Sequence, residues 1–502
     1  AIALASAAAW IGLGASLDGG VSPAGVAARL KSLQRWEWVL GGSLIAAGLV
    51  ARLWSLDSLP AGFWFDEATA GLEARSILSD PTFRPVYSGP TQSAAAYAYL
   101  VAGAEWALGQ TITAVRLIPA LAGALTPLFA WVVARHLLGP IAGVAGCGFM
   151  AFARWDINFS RIGMQNATTP LLLLVAFTLL LYALDTRRWA LFAAFGVAMG
   201  GLGWFYTANF AFPLVLILAI PLMGRARGLR FGELGTRTTF TVFCALFVVT
   251  PLATYALGNF DAVSAHAKSL SLLQTVPPDQ APLTLADSGI KHLAMFTFAG
   301  DQNGRHNLPG APMLDPVTGA LFLLGGVAAL RYWRDPRSVM FLSWTMIMLL
   351  PGVLSAPYES PQSLRSIGAL PGAVILAVSG GWWMWQVLAN GRVTTLSLAG
   401  LTTVLVTAAF LNLAFYFGPQ AKDDAVWRSF SMGQTIMAKE LAQSGAASVI
   451  LASDHFVHHP VVRFLSGVEP AQLKSSDLPV YGGGLPVTIY LDPLDRGYYE
   501  LI

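Results

Sequence analysis

Charge is what this chain has least of. Only 11% of its 502 residues are Asp, Glu, Lys or Arg, while 55% are hydrophobic. A soluble domain carries about 25% charged residues, so a water-soluble globule is excluded and a polytopic α-helical membrane protein is implied. Cysteine is nearly absent too. Cys147 and Cys244 both sit in apolar runs, match no metal or redox spacing, and read as buried inert thiols. The tail from 418 has no phosphate loop and no nucleophile elbow, and the chain has no low-complexity tract and no evident long repeat. The net charge of +3 says little about partners, and no nucleic acid partner is expected.

What the chain has in abundance is apolar length. Stretches long enough to span a bilayer fall at about 36–56, 116–138, 140–157, 167–185, 188–206, 207–224, 238–257, 314–332, 338–354, 366–389 and 393–417. That predicts about eleven spans, the third weak or short. The apolar stretch 94–108 is interrupted by Glu105 and reads as an interfacial or re-entrant helix. Residues 1–35 form an N-terminal extension whose first 17 residues suit a signal-like or extra helix. The first residue is Ala1, so the start need not be the native one.

Basic residues orient the spans. One set of short connections carries Lys31, Arg35, Arg135, Arg187, Arg188, Arg225, Arg227, Arg230, Arg237, Arg331, Arg334, Arg337 and Arg392. The alternating set carries Arg154, Arg161 and Arg365. Thirteen against three makes the first set cytoplasmic. The long loops 57–115 and 258–313 and the tail from 418 then face outward from a cell membrane. The tail predicts a helix over 432–441 and strands at 448–451 and 486–490, a small extracytoplasmic α/β appendage of residues 418–502.

Three polar sites break the apolar background, all in outward segments. In the run Phe63-Trp64-Phe65-Asp66-Glu67-Ala68, two adjacent carboxylates follow three aromatics. Either Asp66 caps the helix that begins there, or an aromatic setting raises a carboxylate pKa and suits it to general-base work. In the turn 155–166, Arg161 is an arginine on a face poor in them. It pairs with Asp156 or another acid, or it contacts a phosphate or carboxylate; Asp156, an extra acid in the same turn, is a candidate substrate contact or neutralises Arg154 or Arg161. In Gly300–Asp315, the groups Asp301, Arg305, His306 and Asn307 sit among Gly and Pro turns. That loop is either a well-bonded turn or a cover for a lipid headgroup. Arg365 is a further phosphate candidate. His455, His458 and His459 fit no common metal spacing, and Trp382-Trp383-Met384-Trp385 suits an interfacial aromatic belt.

Taken in order, these segments resemble the lipid-dependent glycosyltransferases of the C-type fold. The resemblance is to the dolichyl-phosphate-mannose protein mannosyltransferase-like family, to which the bacterial aminoarabinose transferase is related. It rests on Phe63–Ala68, on Val115-Arg116-Leu117-Ile118-Pro119-Ala120, on Phe159-Ser160-Arg161-Ile162-Gly163 and on the Gly300–Asp315 loop. It covers about residues 36–417. The resemblance implies transfer of a sugar from a polyprenyl-phosphate donor to an acceptor hydroxyl on the outer face, with inversion. It puts Asp66 in the role of base, with Glu67 supporting it or positioning the acceptor. Arg161, Arg305 or His306 would hold the lipid phosphate. No metal is implied, since two carboxylates without a third ligand do not argue for one. The sequence shows no His-rich outer repeat domain of the kind eukaryotic protein mannosyltransferases carry, so the resemblance does not imply a protein acceptor over a lipid or glycan. A transporter would show ionisable residues within its spans, and they are scarce here. A non-catalytic subunit of a larger membrane complex is the other reading.

Overall fold

The computed structural model describes residues 2–18, 34–89, 91–389, 392, 394–444, 449–451, 458–467 and 488–490. The chain opens with α1 (Ile2–Leu17) and α2 (Arg35–Leu53). The first long loop then holds α3 (Phe65–Ser79), a two-residue hairpin β1 (Tyr87–Ser88) and β2 (Ser93–Ala94), and α4 (Ala96–Leu108). Next come α5 (Ile112–Leu138), α6 (Pro140–Phe152), α7 (Arg154–Ser160), α8 (Thr169–Thr186), α9 (Trp189–Leu202), α10 (Phe212–Ala226) and α11 (Phe231–Gly258). The second long loop carries α12 (Phe260–Ser269), α13 (Leu272–Thr275) and α14 (Ala281–Ala294). The bundle closes with α15 (Pro316–Arg331), α16 (Pro336–Ile347), α17 (Leu350–Val353), α18 (Leu370–Ala389) and α19 (Thr395–Phe415). Beyond it lie α20 (Asp424–Arg428), α21 (Met432–Ser444), β3 (Val449–Leu451), α22 (Pro460–Ser466) and β4 (Thr488–Tyr490), with β3 and β4 paired in parallel.

Among the described residues, seven of the eleven expected spans are helices long and apolar enough to cross a membrane: Arg35–Leu53, Ile112–Leu138, Gln165–Thr186, Thr207–Ala226, Phe231–Gly258, Ile367–Leu388 and Thr395–Gln420. Three more, α6, α9 and α15, are apolar but shorter, as is Ala7–Leu17 of α1. The stretch expected at 338–354 is broken between α16 and α17. There Pro351, near the start of α17, has no N–H with which to continue the ladder from α16. The helix α6 stops at Phe152 because the Arg154 N–H is taken by the Asn412 side chain at 3.3 Å.

Among the described residues two apolar cores result. The large one joins α5 through α10 with α15, α16 and α18, around Trp155, Phe177, Phe212 and Trp344. Close helix approach depends on small residues. A Cβ on Gly325 or Gly380 would collide with the backbone of the facing helix, so α15 and α18 meet there because neither carries one. The second core belongs to the first long loop. Ala68, Ala70, Ala74 and Ile77 of α3 pack on Tyr97, Ala98 and Val101 of α4, and Val461 and Phe464 of α22 complete it. The described part of the tail therefore bears directly on the loop that carries Asp66. His455, Asp454 and most of 418–502 beyond α21 lie outside the described residues.

Candidate active site

The run Phe63–Glu67 is fixed from behind. The Phe63 N–H donates to Thr435 Oγ1 at 3.0 Å, and its ring packs on Phe464 at 5.1 Å. At the start of α3, the Glu67 carboxylate turns back to accept the Trp64 N–H at 2.8 Å, satisfying a donor the first helical turn leaves open. It also accepts the Gly163 N–H at 2.7 Å and is gripped by Arg116, Nε to Oε1 at 2.8 Å and Nη2 to Oε2 at 3.0 Å. Arg116 adds bonds to the carbonyls of Leu56, Pro60 and Gly62. Both side chains are 0% exposed. Glu67, expected beside Asp66 as catalytic, thus has its acceptor sites filled and no path to substrate. It is the joint between the first loop, α5 and the turn after α7.

Asp66 points the other way. It is half-buried, and among the described residues its carboxylate makes no hydrogen bond or ion pair. Its position in the first turn of α3 places it in the favourable field of the helix N-terminus. Facing it is Arg305, whose guanidinium carbon lies 3.8 Å from the Trp64 ring centroid. Burial lowers the pKa of Arg305 from the ordinary arginine value, while Asp66, Glu359 and Asp301 act to hold its charge. Among the described residues this guanidinium has no hydrogen-bond partner, so its donors remain free for an anion.

The loop behind Arg305 is braced throughout. Asn158 Nδ2 donates to the carbonyls of Arg305 and His306 at 2.9 and 3.0 Å, and Gln420 holds Asn158 in turn at 2.8 Å. Asp301 accepts the N–H of Asn303 at 2.8 Å and both the N–H and hydroxyl of Ser363 at 2.7 Å. The His306 Nδ1 lies 2.9 Å from the same carboxylate, and its ring rests near Phe159. Asp301 and His306 are buried. Both were expected to touch substrate, and both instead shape the loop that presents Arg305. Arg365 is half-buried and bonded to Glu359 at 3.0 Å. Asp66, Arg365 and Glu359 all act electrostatically on the exposed His266 of α12, so these groups surround one common space. Sequence reasoning passed over His266 and Glu359.

Two expected contacts are corrected outright. Arg161 is 0% exposed and donates to the carbonyls of Ala51, Arg52, Trp54, Ser55 and Leu59. It satisfies the end of α2, where carbonyls lack helical partners, and cannot reach a lipid phosphate. Asp156 is also buried, paired with Arg52 at 2.5 Å. It neutralises neither Arg154 nor Arg161. Arg154 instead binds Gln420 at 3.0 Å, Asn307 and the Pro312 carbonyl. In the tail, His459 accepts the Val461 N–H at the start of α22 and meets the Phe65 ring edge-on at 5.3 Å. Among the described residues, no group of three or more His, Cys, Asp or Glu stands close enough to hold a metal ion.

Residues 93–255 match the family described as dolichyl-phosphate-mannose-protein mannosyltransferase. Among solved structures the chain is similar to ArnT from Cupriavidus metallidurans in the apo state. Identity is 14% over 86% of this chain and 84% of that one, with a TM-score of 0.57. The same protein bound to undecaprenyl phosphate gives 15% identity, 87% and 86% coverage, and a TM-score of 0.54. A third likeness is to the archaeal oligosaccharyltransferase AglB from Archaeoglobus fulgidus, in complex with an inhibitory peptide and a dolichol-phosphate. There identity is 13% and the TM-score 0.53, over 87% of this chain but only 65% of that one. This chain thus spans less than two thirds of the AglB length. No curated protein matches the sequence. These likenesses show that the chain shares the polytopic helical fold of ArnT and AglB, and the family match falls on residues 93–255 of it.

Proposed function

We propose that this protein transfers a sugar from a polyprenyl-phosphate donor to an acceptor hydroxyl, with Asp66 as general base. The observation that carries this reading is the pairing of a half-buried, unbonded carboxylate at Asp66 with an unbonded guanidinium at Arg305, between Glu67, Asn158 and Asp301, whose side chains are all hydrogen-bonded. Asp66 takes the proton from the acceptor hydroxyl as its oxygen attacks the anomeric carbon. The bond from that carbon to the phosphate oxygen breaks on the opposite face, which inverts the anomeric configuration. Arg305 stabilises the departing lipid phosphate, with Arg365 as a second cation at the rim. A phosphate held this way needs no general acid. Glu67 and Arg116 position Asp66 without touching substrate. The family and the ArnT complex with undecaprenyl phosphate support the donor class. The bias of thirteen basic residues to one set of connections supports an active site on the extracytoplasmic side of the cell membrane.

The test is transfer of labelled sugar from a panel of polyprenyl-phosphate sugars in native membranes, with wild type beside Asp66→Asn. Loss of transfer by roughly 10² or more in the folded variant is the expected result. Equal transfer by both proteins removes Asp66 from the mechanism. A protein that binds no polyprenyl phosphate at all favours the non-catalytic subunit.

A further inference from the structure

At the end of the bundle opposite Asp66, three cavities adjoin. The helix α15 starts at Pro316, beside the Asp315–Asn412 contact on the Asp66 side, and ends at Arg331, sixteen residues later. That is a rise of about 24 Å. The first cavity is an apolar slot of about 370 Å³ walled by Ala145, Phe149, Leu321, Trp382, Leu401 and Val404. The second, of about 310 Å³, lies between Trp382, Gln386, Tyr332, Asp335 and Arg337. The third, of about 350 Å³, is bounded by Arg331, Tyr332, Trp333, Arg334 and Asp335. Trp382 lines the first two, and Tyr332 and Asp335 line the last two. The three make one track from hydrocarbon walls to guanidinium groups.

The charges along the track are unequal. Arg337 is answered by Asp335 at 2.7 Å and by the Leu137 carbonyl. Arg331 and Arg334 are exposed, and each only rests near the ring of a sequence neighbour, Tyr332 at 5.6 Å and Trp333 at 5.3 Å. Among the described residues neither makes a hydrogen bond or an ion pair. A positive-inside bias needs charge in a loop and nothing more. A slot that opens onto two spare guanidiniums adds a receptor for a molecule that is apolar at one end and anionic at the other.

We infer that this track holds one membrane phospholipid with an anionic headgroup. An acyl chain fills the slot, where water finds no polar partner. The lipid phosphate sits against Arg331 and Arg334, whose planar forks suit its oxygens. Basic niches between helices at the cytoplasmic surface recognise anionic headgroups in this way. No residue of the track belongs to the Asp66 site, so the inference stands apart from sugar transfer.

The test is native mass spectrometry of the full chain, stripped of lipid in detergent and titrated with phosphatidylglycerol or phosphatidylcholine. One phosphatidylglycerol per chain survives under conditions that remove phosphatidylcholine. The double variant Arg331→Gln, Arg334→Gln weakens phosphatidylglycerol binding roughly thirtyfold, at about 1 kcal/mol for each cation lost, and weakens phosphatidylcholine, whose phosphate is offset by its own ammonium, far less. Gly381→Leu weakens both lipids. Its side chain enters the slot from a Cβ position whose nearest neighbour is Leu321 Cδ2 at 3.9 Å. Equal retention of the two lipids by wild type overturns the inference, as does undiminished phosphatidylglycerol binding by the double variant. Unchanged binding by a folded Gly381→Leu protein overturns the slot. Tighter retention of undecaprenyl phosphate than of phosphatidylglycerol, lost in the double variant, overturns the phospholipid assignment.

Discussion

Glu67 and Arg116 form a two-pronged ion pair, at 2.8 and 3.0 Å, with neither side chain exposed to solvent. Removing one partner from such a pair leaves an uncompensated buried charge, a loss on the order of 3–5 kcal/mol. Glu67→Gln and Arg116→Gln are each expected to lower the melting temperature in detergent sharply and to lose transfer because the first loop detaches. A Glu67→Gln protein that melts like wild type but has lost transfer would mean that Glu67 acts on substrate directly.

Arg161 and Arg305 separate a structural cation from a substrate-facing one. Arg161→Gln strips donors from five carbonyls around the end of α2 and is expected to destabilise the fold by several kcal/mol, since each buried unpaired acceptor costs about 1–3 kcal/mol. Arg161→Lys rescues this only in part, because an ammonium has three donors where the guanidinium has five. Arg305→Gln is expected to keep the melting temperature within a few degrees and to cut kcat by roughly 10²–10³. Thermal melts and initial rates on the same preparations distinguish the two.

The contrast shows what the sequence could reveal. All eleven apolar stretches fall on helical segments, because hydropathy is summed over a long window and survives local detail. Their breaks depended on single contacts, such as Asn412 taking the Arg154 N–H, and no window reports those. Asp66 and Arg305 stood out as charges in aromatic or glycine-rich outward loops. Arg161 and Asp156 stood out for the same reason, yet both turn inward. A local pattern does not say whether a charge faces a ligand or the carbonyls of a helix end. One signal was available: Arg52, inside the first span, needed a buried partner, and that partner is Asp156.

The Asp301 loop is expected to fail in acid. Burial alone would raise the Asp301 pKa, but His306 and the N–H groups of Asn303 and Ser363 outweigh it and hold the carboxyl below its usual range. A depressed pKa contributes stability above the unfolded value, about 3.9, and that stability is lost as pH falls through the folded value. Melting temperature should therefore drop below about pH 4. Asp301→Asn should flatten that acid limb and lower stability at neutral pH by about 1.5–3 kcal/mol, the range for hydrogen bonds to a charged group. An unchanged acid limb in the variant assigns it to other carboxylates.

Glu105 should impose the opposite dependence. It lies 5% exposed in the first-loop core, with one oxygen, Oε1, unbonded and 3.1 Å from where a Gly71 Cβ would stand. Burial pushes its pKa from 4.5 up to about 8, with Arg75 opposing. Below pH 4.5 the carboxyl is neutral whether folded or unfolded and costs nothing. Between 4.5 and 8 the unfolded chain ionises while the folded one keeps its proton, so stability falls with rising pH at up to about 1.4 kcal/mol per unit. Above 8 both forms are ionised and the loss levels off. Glu105→Gln removes the titration and keeps the side-chain shape. Its melting temperature should match wild type near pH 4.5 and exceed it by pH 8, with the gap opening steadily between. A gap that does not change with pH would show that Glu105 is already ionised in the folded protein. The packing of Phe464 over Gly71 would then have to accommodate a charge.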